Sequence, residues 1–335
     1  MYTEICREFR AMNTDVIALV VAETSQSAVA TAALARVEAL FAKVEAALSR
    51  FRPTSELSTL NRSAGQRFAA SPLLFEAVDR AVRAARETAG VFDPTVLGAL
   101  VAAGYDRSFE LLATSSAAAA PSPRPSAGTW REIELDQRHQ TIRLPAGCGI
   151  DLGGIGKGWT VDRATELLSG FAGFAIDAGG DIFAGGTQKD GSPWSVGVAD
   201  PDHPERDLLS FVVRDAAVAT SSTARRRWQQ AGRPQHHLID PRTGQPAQSG
   251  VVSATVLAES VARAEVLAKV ALILGPEDGL ELLNSQPGAT GLLVLPGGKT
   301  LLSNTLRTGS EPARTGGSPW PGEPTPPIQE ARYVV

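Results

Sequence analysis

The chain has 335 residues, 43% hydrophobic and 20% charged, an ordinary globular composition able to bury a sizeable core in one large domain or two. With 36 acidic against 32 basic residues the formal net charge is −4, and the densest basic run is only Arg225, Arg226 and Arg227, which argues against a nucleic-acid partner. Cys6 and Cys148 sit in no CxxC arrangement, no segment offers 18 consecutive apolar residues, and the N-terminus lacks the apolar stretch of a secretory signal; a cysteine zinc site, a disulfide framework and a membrane span are not expected, and the location expected is cytoplasmic.

The first strand signal is "VIALVVA", followed by a long helix in "SAVATAALARVEALFAKVEAALSRF", where Val29, Leu34, Val37, Leu40, Phe41, Val44 and Leu48 recur at helical spacing. A second helix runs from Ser71 as N-cap, with Pro72 at its first position, to Gly90 as C-cap. Residues 113–128, "ATSSAAAAPSPRPSAG", read as a surface loop or partly disordered insertion. A strand-rich half follows: "EIELD", "TIRL", "FAIDAGGDIFAGG", "WSVGVA", "LSFVVRDAAVATS", "VVSATVLA" and "TGLLVLP", interrupted by a helix starting near Lys157 and another in "SVARAEVLAKVALILG". Strands and helices segregate in runs with few strict β-α-β alternations, so the fold class expected is α+β. The tail from about Thr308 is rich in Pro and Gly and reads as disordered.

Several polar clusters sit at the ends of these elements, each open to a plain structural reading. In "DLGGIGKGWTVDRA" the glycines 153, 154 and 156 would let backbone N–H groups approach a bulky anion, with Lys157 beside them. The spacing matches neither established phosphate-loop pattern, and the plain reading is a tight strand-to-helix turn. Asp93 before Pro94 is held extended and reads equally as an Asx-type turn. Gly179, Gly180 and Asp181 read as a β-bulge or close backbone crossing, and Ser221, Ser222 and Thr223 as a strand-ending turn. His236 and His237, two of the four histidines, would face opposite ways in a strand, so at most one serves a given site.

In this order and spacing, "MNTD", "LSRFRPTSELSTLN", "GVFDPTV", "DLGGIGKGWTVDRA", "DAGGDIFAGG", "VATSS", "HHLIDPRTGQP" and "SATVLAESVARAEVLAKVALILG" resemble the FAD:protein FMN transferases, the ApbE-type flavin transferases, over roughly residues 8–303. The resemblance implies a T-fold-like α+β architecture of two lobes around an FAD cleft. Residues 1–307 would form the transferase domain and 308–335 the tail. It also implies transfer of FMN through a phosphoester bond to a Thr or Ser of an acceptor flavoprotein, with release of AMP. Two alternatives use the same pocket: an FAD-binding protein without transferase activity, and an FAD hydrolase giving FMN and AMP.

Carried over residue by residue, the resemblance implies that Met12 and Phe51 contact the flavin or adenine, with Phe51 where the family commonly has Tyr. Val91, Phe92 and Asp93 would line the nucleotide pocket, and Asp181 and Ser221 would also bind the cofactor. Lys157 would stand near the phosphates and His237 near the pyrophosphate and the reaction centre, so both would bind the cofactor and are the candidate catalytic residues. Mg²⁺ is implied through a main-chain oxygen of Gly156, where alanine is commoner, and through Glu265. Here the sequence departs from the family: the helix that carries Asp and Thr four residues apart there has Glu265 and Lys269. An ammonium cannot be a metal ligand. The pair is either an ordinary i,i+4 surface pair or one in which Lys269 puts its charge on the pyrophosphate in place of the metal. Ser222 replaces the Gly of the family's TSG motif.

Overall fold

The computed structural model describes residues 1–112, 128–230, 232–308, 310–312 and 331–334. The described chain separates into two compact units: one of residues 1–40, 158–222 and 250–335, the other of residues 41–157 and 223–249. The first is built on an eight-stranded sheet whose order follows the chain: Tyr2–Ala11, Thr14–Glu23, Gly173–Ala178, Asp181–Gly186, Ala216–Ser222, Ser253–Ala258, Thr290–Val294 and Thr300–Leu302. Every neighbouring pair is antiparallel. Long insertions join several of these strands, and the two tightest connections are two-residue turns: Met12–Asn13 at φ 52° and 60°, and Gly179–Gly180 at φ 71° and 93°. Positive φ at both central residues is the turn whose twist suits a hairpin, which explains the paired glycines. The bulge expected at Gly179–Gly180 is therefore a hairpin turn, and Gly180 N–H donates to Asp177 Oδ1 at 2.7 Å.

On one side the sheet shares a core with Trp194–Ala199 and Asp207–Val213: Leu19, Ile182, Val218, Leu257 and Leu292 cluster with Trp194, Val196, Leu209 and Phe211. The helix Val261–Leu274 packs on Ala216–Ser222 and Ser253–Ala258. That helix is apolar nearly all round, as burial on most of its circumference requires. The run "LSFVVRDAAVATS" is two strands split at Asp215, whose φ is 53°. In the tail, Ser310–Pro312 and Ala331–Val334 are short strands, the second parallel to Asp207–Val213. The rest of the tail, like residues 113–127 of the expected insertion, lies outside the described residues.

The second unit holds the helices Glu56–Arg62 and Pro72–Glu87, capped by the hydroxyls of Ser55 and Ser71, the second as its sequence signal predicts. It also holds a three-stranded sheet of Arg67–Ala69, Thr141–Arg143 and Glu134–Asp136, and the hairpin Arg227–Gln230 with Arg233–His236. The Asn61 amide bonds both backbone groups of Ile150, at 2.9 Å each, and Asp151 N–H donates to Pro94 O at 2.8 Å. These bonds fix the strand-like entry to the glycine turn. Among the described residues no helix is long and apolar enough to cross a membrane.

Candidate functional site

The glycine turn begins in the second unit with Asp151, whose Oδ1 accepts Gly153 N–H at 2.8 Å and whose Oδ2 lies 2.5 Å from Arg50 Nε. The Arg50 guanidinium lies over the rings of Phe51 and Tyr105, 4.1 and 4.6 Å from their centroids. Tyr105 in turn packs against Phe51 and Trp228, and burial pushes its phenol upward from the ordinary value. Phe51 thus belongs to an aromatic and guanidinium stack joined through Asp151 to the turn. Leu152 O accepts Gly156 N–H at 2.8 Å, closing the turn into the helix Gly156–Leu168 with Lys157 half-buried in its first turn. Val91, Phe92 and Asp93 lie before the Pro94–Val96 turn. Asp93 takes the plain reading given it: its Oδ1 accepts Thr95 N–H at 2.7 Å and the Thr95 hydroxyl at 2.6 Å, and its Oδ2 accepts Gly128 N–H.

In the first unit the same helix meets Val261–Leu274. Gly158 N–H donates to Glu265 Oε2 at 2.9 Å, and Asp162 accepts Val261 N–H at 2.7 Å and Ala262 N–H at 3.0 Å. Each helix therefore places a carboxylate against backbone donors in the first turn of the other, where the helix dipole favours negative charge. Glu265 is only 5% exposed and its Oε1 stands 3.9 Å from Lys269 Nζ, with Lys269 16% exposed. Met12, Asp181 and Ser221 gather at one end of the large sheet. The turns at Met12–Asn13 and Gly179–Gly180 follow from the pairing of Val16 with Ala178, and Asp181 pairs with Ala219 two residues before Ser221. Asp181 and Ser221 are both buried.

The strand Arg233–His236 ends at the first of the two histidines, so the alternation expected of the pair does not extend to His237. His236 is structural: Leu238 N–H donates to its Nδ1 at 3.3 Å, so Nε2 carries the proton and donates to Ala247 O at 2.9 Å. Burial pushes its pKa below the ordinary 6.5. A folded state that binds the proton more weakly than the unfolded chain loses stability as pH falls below 6.5 toward the lowered value, with a slope reaching about 1.4 kcal/mol per pH unit. Denaturant unfolding between neutral and mildly acid pH should show this loss, and His236→Gln should flatten it; an unchanged slope would remove His236 as its source. His237 is half-buried with Nδ1 buried. It precedes Leu238, Ile239 and Asp240, and Asp240 is forked by Arg242 at 2.9 Å twice within the DPRTG turn.

The donors around Glu265 do not fit the magnesium ion implied by the resemblance. One carboxylate oxygen is taken by Gly158 N–H and the other faces an ammonium, whereas Mg²⁺ asks for an octahedron of oxygen donors at close range. At an effective dielectric near 20, a divalent ion about 4–6 Å from that ammonium would be repelled by roughly 6–8 kcal/mol, a penalty that a neutral Thr at the same position would not impose. Among the described residues no group of three His, Cys, Asp or Glu side chains is placed to hold a metal.

Within the first unit the structure brings together Glu265, Lys269 and the helix turn at Gly158, and places Met12, Asp181 and Ser221 at one sheet end. Within the second it places Phe51 beside Arg50 and Asp151, and sets Asp93 in its own turn. Sequence reasoning missed Arg50, Asp151 and Asp162, although all three lie inside the quoted motifs.

The sheet order and helix placement are those of an α+β class with solved members. The ApbE protein of Thermotoga maritima superposes with a TM-score of 0.79 at 26% identity, covering 92% of this chain and 99% of its own. The ApbE family model matches residues 12–293, and the chain belongs to the ApbE family. The FAD:protein FMN transferase of Treponema pallidum is 32% identical over 291 residues, 79% of this chain and 77% of its own length. That of Vibrio cholerae is 30% identical over 262 residues, 73% of this chain and 74% of its own.

Proposed function

We propose that the chain is an FAD:protein FMN transferase acting on a Thr or Ser of an acceptor flavoprotein. The observation that carries this reading is the 32% identity to a protein of that name over 79% of the chain. In the reaction the acceptor hydroxyl oxygen bonds to the flavin-side phosphorus, the bond from that phosphorus to the bridging oxygen breaks, and the bridging oxygen leaves with AMP. Such a transfer needs charge neutralisation on the non-bridging oxygens, alignment of the entering and leaving oxygens, and an acceptor for the hydroxyl proton. Lys157 and the backbone of the glycine turn supply positive charge, and the His237 imidazole receives the proton and passes it to the departing AMP. Met12 and Phe51 contact the flavin or adenine, Val91 and Phe92 line the nucleotide pocket, and Asp181 and Ser221 hold polar groups of the cofactor. Asp93 supports that pocket through its turn.

This assignment predicts that the chain binds FAD more tightly than FMN or riboflavin, because the pyrophosphate turn and the adenine pocket act on groups that the smaller flavins lack. Calorimetric titration should give an FAD preference of at least about tenfold, the equivalent of one charge-assisted contact. Equal affinity for all three flavins would contradict the reading.

A further inference from the structure

We propose that in this chain Lys269 supplies, as a fixed ammonium, the positive charge on the pyrophosphate of FAD, so that nucleotide binding and transfer need no divalent cation. The inference rests on the flavin-transferase reading and specifies how the site neutralises its substrate. Three observations carry it. Glu265 is committed to Gly158 N–H at 2.9 Å, so its carboxylate serves as the anion for the first turn of the helix Gly156–Leu168. Lys269 Nζ stands 3.9 Å from the other oxygen, so the ion pair holds the ammonium beside the carboxylate that caps the start of that helix. The side chain is mostly buried yet keeps 16% exposure, on a helix whose neighbouring residues are almost all apolar and buried. A lysine ammonium is a compact point charge with three donors, a common partner of phosphate oxygens, and a buried one acts through a lower effective dielectric than water. The transfer step is unchanged: the same phosphorus–oxygen bond forms, the same one breaks, and the developing charge meets an ammonium.

The test uses the full-length protein, FAD titration by calorimetry, and Mn²⁺ followed by electron paramagnetic resonance. With EDTA present the wild type should bind FAD within about twofold of its affinity in millimolar Mg²⁺, and free Mn²⁺ should keep its signal when the protein is added. Lys269→Met should weaken FAD binding about tenfold or more, and Lys269→Arg should restore much of it. Lys269→Thr with Glu265→Asp should bind Mn²⁺ and make FAD affinity fall on chelation. The proposal is overturned if EDTA abolishes FAD binding by the wild type, if the wild type takes up one Mn²⁺, or if Lys269→Met leaves FAD affinity unchanged. The two wild-type measurements decide the matter even where a variant folds poorly. A wild type that binds no FAD with or without Mg²⁺ overturns the flavin-transferase reading itself, and the proposal with it, an outcome distinct from binding that depends on the metal.

Discussion

Replacing His237 by alanine is expected to lower the rate of FMN transfer by about 10²–10⁴-fold, the usual worth of a positioned proton acceptor, while leaving FAD affinity nearly unchanged. The split between rate and affinity is the informative part. A group that only fills space beside the nucleotide would weaken binding, whereas one that receives the acceptor's proton acts in the transition state. His236 provides the internal control, since its ring is held between Leu238 N–H and Ala247 O and its loss should cost stability before activity. Single-turnover transfer with saturating FAD separates the two histidines. An unchanged rate in His237→Ala would remove His237 from the mechanism.

A large effect on stability is expected at Gly158, where the two site helices meet. A Cβ there would lie 2.7 Å from Val261 O and 2.8 Å from Ala262 N, against backbone rather than a movable side chain. Alanine gains about 1 kcal/mol of helix propensity over glycine, but overpacking against backbone costs about 3 kcal/mol, and displacing the helix start strains the bond to Glu265. The overlap wins, so Gly158→Ala should lower unfolding free energy by about 2 kcal/mol or more. Gly170→Ala, where a Cβ meets nothing within 4 Å, should be close to neutral. Chemical denaturation of the two variants checks the contrast; equal stability would mean that the two helices can separate at Gly158 without cost.

Much of this architecture was legible from residues close together in the chain. Ser71 with Pro72 marked its helix start, and the β-branched runs of the second half became strands. The strand Tyr2–Ala11 escaped notice because its inward face alternates the apolar Ile5, Phe9 and small Ala11 with Thr3 and Arg7, while charged residues fill most of the other face. The helix Pro276–Ser285 was hidden by Gly275-Pro276, which ends one helix and begins the next. At the site, the residue types were visible but their commitments were not. That Glu265 caps the turn at Gly158 is a contact across 107 positions, and that Asp162 caps the partner helix is one across 99 and 100. No local pattern encodes such pairings, and they are what turns an apparent metal ligand into a helix cap. Asp93 shows the converse: its neighbour Pro94 already pointed to the turn that the structure contains.

The central claim is that this chain moves FMN from FAD onto a protein hydroxyl. The most direct measurement incubates it with FAD and an acceptor bearing a Thr flavinylation site, then reads the acceptor's intact mass and the AMP released. The account predicts a mass increase equal to one FMN phosphoester, absent when the acceptor Thr is replaced by Ala, with one AMP formed for each flavin attached. FMN and AMP appearing together with an unmodified acceptor would show hydrolysis in place of transfer, and FAD left intact by a chain that binds it would show a flavin-binding protein without the activity; either result would contradict the account.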